Sequence, residues 1–137
     1  MTRPAPEFAF TDLAGKPFDN RTVKGKPAIL TFWAFWCAPC VAELSALEKF
    51  QQEHPDANLL AVEIGHKPEE VAAFLKAHNL KALHVAATAG MPRELGVVAV
   101  PAAIVIDRYG QIQFVHIGQL ADAGAILGKD LSAFPAQ

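Results

Sequence analysis

The stretch ILTFWAFWCAPCVAEL, residues 29–44, decides the fold because it joins an apolar run to two cysteines and then to a helical pattern. Residues 28–35 are rich in β-branched and aromatic side chains, which predicts a central strand covered on both faces. Beyond Pro39 apolar residues recur at helical spacing, up to a stop at HPD, residues 54–56. Cys37 and Cys40 are therefore predicted on a strand-to-helix turn.

The rest of the chain alternates predicted strands and helices. We expect a hairpin around TDLAGKP, residues 11–17, strands at 58–64, 82–88, 102–107 and 112–117, a helix at 67–80, a short helix or turn at 91–97, and a closing helix at 119–134. Such an order predicts a mixed β-sheet flanked by helices on both faces. The chain is thus expected to form a single α/β domain over residues 1–137, with its core from about residue 7.

Composition excludes several classes of protein. The 137 residues are 52% hydrophobic and 19% charged, which is typical of a globular domain. The net charge of -2 comes without a basic run, so we expect neither nucleic acid nor an anionic membrane as a partner. The most apolar window, residues 28–42, is too short to span a bilayer. The opening MTRPAPEF lacks the apolar segment of a secretion signal, so an export signal or tether is expected to lie outside this sequence.

The cysteine pair admits several interpretations. A purely structural disulfide closing so small a loop would stabilise the fold by only about 2 kcal/mol. A zinc site needs four ligands, but there is no second cysteine pair, and none of the five histidines follows at zinc-finger spacing. Haem attachment would require His at position 41, which is Val41. We therefore expect no metal.

A redox function explains more of the pattern. At the N-terminal edge of a helix, unpaired backbone N–H groups and the helix dipole favour a thiolate at Cys37. Cys40 lies one turn further on the same face, within bonding distance. Pro39 fits the first turn, where a missing N–H costs nothing. The sequence predicts a reversible, partly exposed disulfide, with no other cofactor.

These residues resemble the thioredoxin fold, and within it the TlpA, ResA and CcmG-like thiol:disulfide oxidoreductases of the bacterial cell envelope. The matching segments are TFWAFWCAPCVAEL (31–44), AVPAAIVIDRYGQI (99–112) and EEVAAFLKAHNL (69–80), the last similar to that subfamily's inserted helix. The resemblance implies that Cys37 is the nucleophile, Cys40 the resolving thiol and Pro101 a cis-proline facing them. It also implies that the substrate contacts the residues around this site: Trp36, Ala38, Pro39 and the backbone of Val100.

Glu43 is a further candidate. A helical projection places it between Leu47 and Phe50, pointing toward the core beneath Cys40, while Glu48 falls on the opposite side. It is either a solvated first-turn acid stabilised by the helix dipole or a partly buried base that exchanges protons with Cys40. The resemblance supports the second interpretation, because the subfamily carries Glu three residues after its second cysteine.

The resemblance implies a periplasmic or otherwise extracytoplasmic reductant of protein disulfides, acting for example in cytochrome c maturation or metal-site assembly. Its expected partners are protein thiols and disulfides and a membrane thiol electron donor, and the expected state is a monomer, tethered or free. The alternatives are a thiol oxidant on the same fold and a copper-handling or binding module. Several positions depart from the usual pattern and make the surface near Cys37 more apolar, namely Thr31, Phe35, Val41, Ala102 and Ala103. The sequence offers no role for Glu63 or for the histidines.

Overall fold

The computed structural model describes residues 3–118. Its strands are β1 (Arg3–Pro4), β2 (Ala9–Thr11), β3 (Pro17–Asp19), β4 (Ala28–Trp33), β5 (Asn58–Ile64), β6 (Val85–Thr88), β7 (Ala102–Ile106) and β8 (Gln111–Ile117). Its helices are α1 (Ala38–Glu53), α2 (Pro68–Ala77) and a 3-10 turn at Arg93–Leu95. Among these residues β2 and β3 form a hairpin, and the other strands form one sheet in the order β1-β8-β7-β4-β5-β6.

One half of the sheet, β4-β5-β6, is parallel, and the other half, β1-β8-β7, is antiparallel. β4 pairs in parallel with β5, and β5 with β6, whereas β7 runs antiparallel to β4 and to β8. The carboxyl ends of β4 and β5 therefore meet at the same edge of the sheet. The turn that carries the cysteines and the loop that leads into α2 both leave from this edge.

Alternating side chains divide the core between the two faces of the sheet. Ile29, Trp33 and Leu59 belong to the cluster that also holds the buried residues of α1 and α2. Leu30 and Leu60 belong to the opposite cluster, which the N-terminal hairpin and the 3-10 turn cover. Both described helices thus pack on one face, and the closing helix predicted at 119–134 lies outside the described residues.

The predicted α/β class, with its mixed sheet and N-terminal hairpin, is confirmed. β5 spans the predicted 58–64, and Gly15 in the hairpin turn has a φ of 86°, a value that suits glycine. β1 precedes the expected start near residue 7 and pairs with β8. α2 is shorter than the predicted 67–80, because it ends before Asn79, whose φ is 56°.

Three strands are shorter than predicted: β7 ends one residue early, at Ile106, and carboxylates bind the backbone that flanks β4 and β6. β4 ends at Trp33, not at residue 35, since the N–H of Phe35 donates a hydrogen bond to the Glu63 carboxylate. β6 begins at Val85, not at residue 82, since the N–H groups of residues 81–83 donate hydrogen bonds to the Glu48 carboxylate. A side-chain acceptor replaces the neighbouring strand in both places.

Candidate active site

Cys37 and Cys40 form a disulfide at the start of α1, with their Cα atoms 5.3 Å apart. Cys37 is the N-cap of the helix, and its Sγ accepts the backbone N–H of Cys40 at 3.3 Å. The Cys37 N–H is donated to the carbonyl of Ala34 at 3.1 Å, which closes the turn after β4. Pro39 occupies the first helical turn, as predicted. Once the disulfide is reduced, the same N–H donor and the helix N-terminus stabilise a Cys37 thiolate.

The disulfide is less exposed than the sequence predicted. Cys37 is 7% exposed and Cys40 only 1%, whereas the neighbouring Trp36 is 68% exposed. Ala38 and Pro39, between the cysteines, are also exposed. Both cysteines belong to the apolar cluster that also holds the buried residues of α1. The exposed surface at the pair therefore comes from Trp36, Ala38 and Pro39.

Glu43 lies on the buried side of α1, as the helical projection predicted. Its exposure is 8%, and it shares this side with Cys40, Leu44 and Leu47. The interpretation as a solvated first-turn acid is wrong, because α1 begins at Ala38 and has no acid in its first turn, and because Glu43 is buried. The carboxyl group is instead placed in the interior, one turn beyond the buried cysteine.

Glu48 was wrongly predicted to face solvent. It is buried, and its carboxylate accepts the backbone N–H groups of Lys81, Ala82 and Leu83 at 3.2, 2.8 and 2.9 Å. Burial by itself raises the pKa of Glu48, but these hydrogen bonds, together with one from Gln52, outweigh it and leave the pKa lowered. At about 100° per residue Glu48 lies only about 40° from the buried Leu44, at the edge of the buried side of α1, and the loop at residues 81–83 covers this edge.

Pro101 follows a cis peptide bond from Val100, as the resemblance implied. Pro101 is buried at the entrance to β7, and Val100 is half-buried and packs against both clusters of the core.

Glu63, which the sequence left without a role, is fully buried near the end of β5. Its carboxylate accepts N–H bonds from Phe35 and His66, so it lies beside the turn that carries Cys37. The alternation of β5 could have placed Glu63 on the helix-covered face. Its partners, however, come from two loops, and sequence spacing does not show that these loops meet.

Among residues 3–118 no group of three or more His, Cys, Asp or Glu side chains is arranged to hold a metal ion. In the same part of the chain, no helix combines the length and apolar character needed to cross a membrane.

Comparison with known proteins places this geometry in a family. A family model described as the AhpC/TSA family matches residues 1–115. The chain belongs to the AhpC/TSA family. This AhpC/TSA-family chain is 32% identical over 122 residues to thioredoxin-like protein YneN of Bacillus subtilis, covering 85% of the chain and 71% of YneN. It is 30% identical over 112 residues to thiol-disulfide oxidoreductase ResA of Bacillus thuringiensis, covering 79% of the chain and 64% of ResA.

A solved structure of similar size also superposes on this chain. The exposed lipoprotein thioredoxin Etrx1 of Streptococcus pneumoniae superposes with a TM-score of 0.73 at 27% identity, covering 92% of this AhpC/TSA-family chain and all of its own (100%). The predicted thioredoxin-like fold and the predicted relation to ResA-like proteins are confirmed.

Proposed function

We propose that this thiol:disulfide oxidoreductase reduces disulfide bonds in other proteins, with Cys37 attacking and Cys40 resolving. The observation that carries the proposal is the Cys37–Cys40 disulfide at the N-terminus of α1, with the Cys40 N–H directed at the Cys37 sulfur. This N–H and the helix dipole favour a thiolate at Cys37 rather than at Cys40.

The reaction begins from the dithiol. The Cys37 thiolate attacks one sulfur of the substrate disulfide, and the other substrate sulfur leaves as a thiolate and takes up a proton. The enzyme and substrate are then joined by a mixed disulfide. The Cys40 thiol loses its proton and attacks the Cys37 sulfur, which releases the second substrate thiol. Two electrons have passed to the substrate, and the Cys37–Cys40 disulfide remains.

Glu43 is the proposed acceptor for the Cys40 proton. It lies on the same buried side of α1 as Cys40, three residues further along the helix, where one turn brings side chains together. A base is needed there, because Cys40 is only 1% exposed and has little access to water.

The substrate is proposed to bind across the exposed residues beside the disulfide. Trp36 offers a large apolar surface, and Ala38 and Pro39 add no charge. Val100, just before Pro101, supplies backbone groups that can pair with an extended segment. The substrate class is a disulfide in an apolar, extended or unfolded segment of another protein.

The direction of electron flow is proposed to be reductive. Ala38 and Pro39 offer the Cys37 thiolate no charge or polar side chain, and the apolar neighbours Phe35, Trp36 and Val41 disfavour an anion. A thiolate that is weakly stabilised corresponds to a disulfide that is harder to reduce.

We place the protein outside the cytoplasm, in the periplasm or an equivalent compartment, as a monomer that receives electrons from a membrane thiol protein. Supporting this location, Etrx1 is described as an exposed lipoprotein. The proposed chemistry uses the Cys37–Cys40 pair and no cofactor.

The test mixes the dithiol form of this chain with a protein that contains disulfides, such as insulin. No other reductant is added, so the Cys37–Cys40 dithiol is the only source of electrons. One substrate disulfide lost per Cys37–Cys40 disulfide formed is the expected result. Failure to reduce the substrate, combined with tight stoichiometric binding of Cu(I) by the dithiol, would instead support a copper-handling module.

A further inference from the structure

Glu63 is a buried acid that the chemistry proposed above does not use. It is 0% exposed, and the alternation of β5 places it on the face that also carries Leu59 and Ala61, against α1 and α2. Burying a carboxylate is unfavourable unless hydrogen bonds satisfy its oxygens. The contacts that satisfy Glu63 therefore indicate what it does.

The carboxylate of Glu63 joins two loops at the edge of the sheet. Oε2 accepts the backbone N–H of Phe35 at 3.2 Å, and Oε1 accepts the backbone N–H of His66 at 3.0 Å. Oε2 also lies 2.7 Å from Nδ1 of His66. Phe35 is two residues before Cys37, inside the turn closed by the bond from Cys37 to Ala34. One side chain thus ties the turn that carries the nucleophile to the loop that begins α2.

The ring of His66 extends this connection. It stacks on Phe35 with ring centres 4.0 Å apart, and Phe35 stacks on Phe74 of α2 at 4.5 Å. Phe74 in turn stacks on His78 at 3.9 Å. The Phe35 ring is therefore part of a stack of four nearly parallel rings that attaches it to α2, while Glu63 binds the Phe35 backbone.

We propose that Glu63 is a positioning residue for Cys37, acting through the backbone of Phe35 and the ring of His66. The inference rests on the proposed function, because the orientation of the Cys37 sulfur matters only if that sulfur attacks a disulfide. Attack requires the sulfur to approach in line with the bond it breaks, and a displacement of about 1 Å can slow such a step up to about 100-fold.

The test replaces Glu63 with Gln and compares it with a matched variant, Glu48→Gln. Both residues are buried glutamates that accept backbone N–H groups, but Glu48 binds the loop at residues 81–83 instead of the active-site turn. In an amide an NH2 donor replaces one carboxylate oxygen, so Gln in the same position sets that NH2 group against the N–H of Phe35 or of His66. Both variants are expected to lower the free energy of unfolding.

The readout is the reaction of reduced protein with a small aromatic disulfide, dithiobis(nitrobenzoate), followed across pH to the plateau where Cys37 is fully a thiolate. Each protein releases two aromatic thiolates as its own disulfide forms. We expect Glu63→Gln to lower the plateau rate about tenfold and Glu48→Gln to stay within about twofold of wild type. An unchanged plateau in Glu63→Gln, or an equal loss in Glu48→Gln, would overturn the proposal.

A second pair of variants decides the matter if Glu63→Gln does not fold. His66→Ala removes the ring that stacks on Phe35, and His66→Phe restores a ring without Nδ1. We expect the plateau rate to fall in His66→Ala and to stay below that of the wild type in His66→Phe, because the Phe ring restores the stack on Phe35 but not the contact with Glu63. Wild-type rates in both would contradict the inference.

The small disulfide also separates the two proposals. Wild-type protein that reacts with dithiobis(nitrobenzoate) but leaves protein disulfides intact would count against the proposed function alone.

Discussion

The two cysteines differ in burial and in their hydrogen bonds, and on these differences we propose that Cys37 attacks and Cys40 resolves. Cys37 caps α1 and accepts the Cys40 N–H, whereas Cys40 is 1% exposed. We predict that Cys37→Ala abolishes disulfide reduction and that Cys40→Ala accumulates mixed disulfides, seen by mass spectrometry of trapped adducts. Equal alkylation rates for the two thiols of the reduced protein would be inconsistent with this division.

Glu43 gives a second prediction at the scale of a residue. Glu43→Gln keeps the shape of the side chain but removes its basicity, so attack by Cys40 should slow by about 100-fold or more, and its pH profile should change. Stopped-flow measurement of mixed-disulfide resolution provides the rate. The control is Glu53→Gln, which alters an exposed acid at the end of the same helix. A Glu43→Gln profile that coincides with wild type would leave Glu43 without a catalytic role.

At the site, the sequence predicted what lies within one helix but not what crosses between loops. Cys37, Cys40 and Glu43 share α1, so their spacing was enough to place them at its start and on its buried side. Glu63 was beyond reach because its partner Phe35 lies 28 residues away and comes from a turn on the adjacent strand.

At the scale of the secondary-structure elements, the Glu48 carboxylate links α1 to the loop before β6. Its pKa is lowered in the folded protein, so ionised Glu48 stabilises the fold above its unfolded pKa, and this stability is lost as pH falls through the folded pKa. We predict that Glu48→Gln lowers the free energy of unfolding by about 1–3 kcal/mol at neutral pH.

The difference between wild type and Glu48→Gln should shrink below about pH 4, where the unfolded-state carboxyl and then the folded one take up protons. Urea denaturation of both proteins, at neutral pH and at about pH 3, measures this difference in the free energy of unfolding. A difference that is constant across this range would mean that ionisation of Glu48 does not contribute.

The ends of elements were predictable where the chain itself signals them. Asn58 and Gly65 flank the apolar part of β5, and its predicted bounds were correct. The end of β4 and the start of β6 could not be predicted, because the carboxylates of Glu63 and Glu48 accept backbone N–H groups that would otherwise pair with a neighbouring strand. Apolar patterns predict which residues are buried, but they do not show which acceptor a backbone N–H finds.

At the scale of the whole molecule, the described residues are built around a mixed sheet in which β4 and β5 run parallel, so the loops that follow these two strands lie side by side at one edge. The alternation of strands and helices predicted this class of fold, and the family match confirms it. The assignment of faces needed tertiary contacts, because α1 and α2 share one face and the N-terminal hairpin covers the other.

The reduction potential of the Cys37–Cys40 pair is the property of the whole protein that decides the direction of electron flow. Equilibrating the protein with glutathione buffers and quantifying its dithiol and disulfide forms by alkylation measures this potential directly. A reductant of protein disulfides requires a potential below about -200 mV, and we predict a value in that range. A potential near about -120 mV, typical of a strong oxidant, would contradict the account.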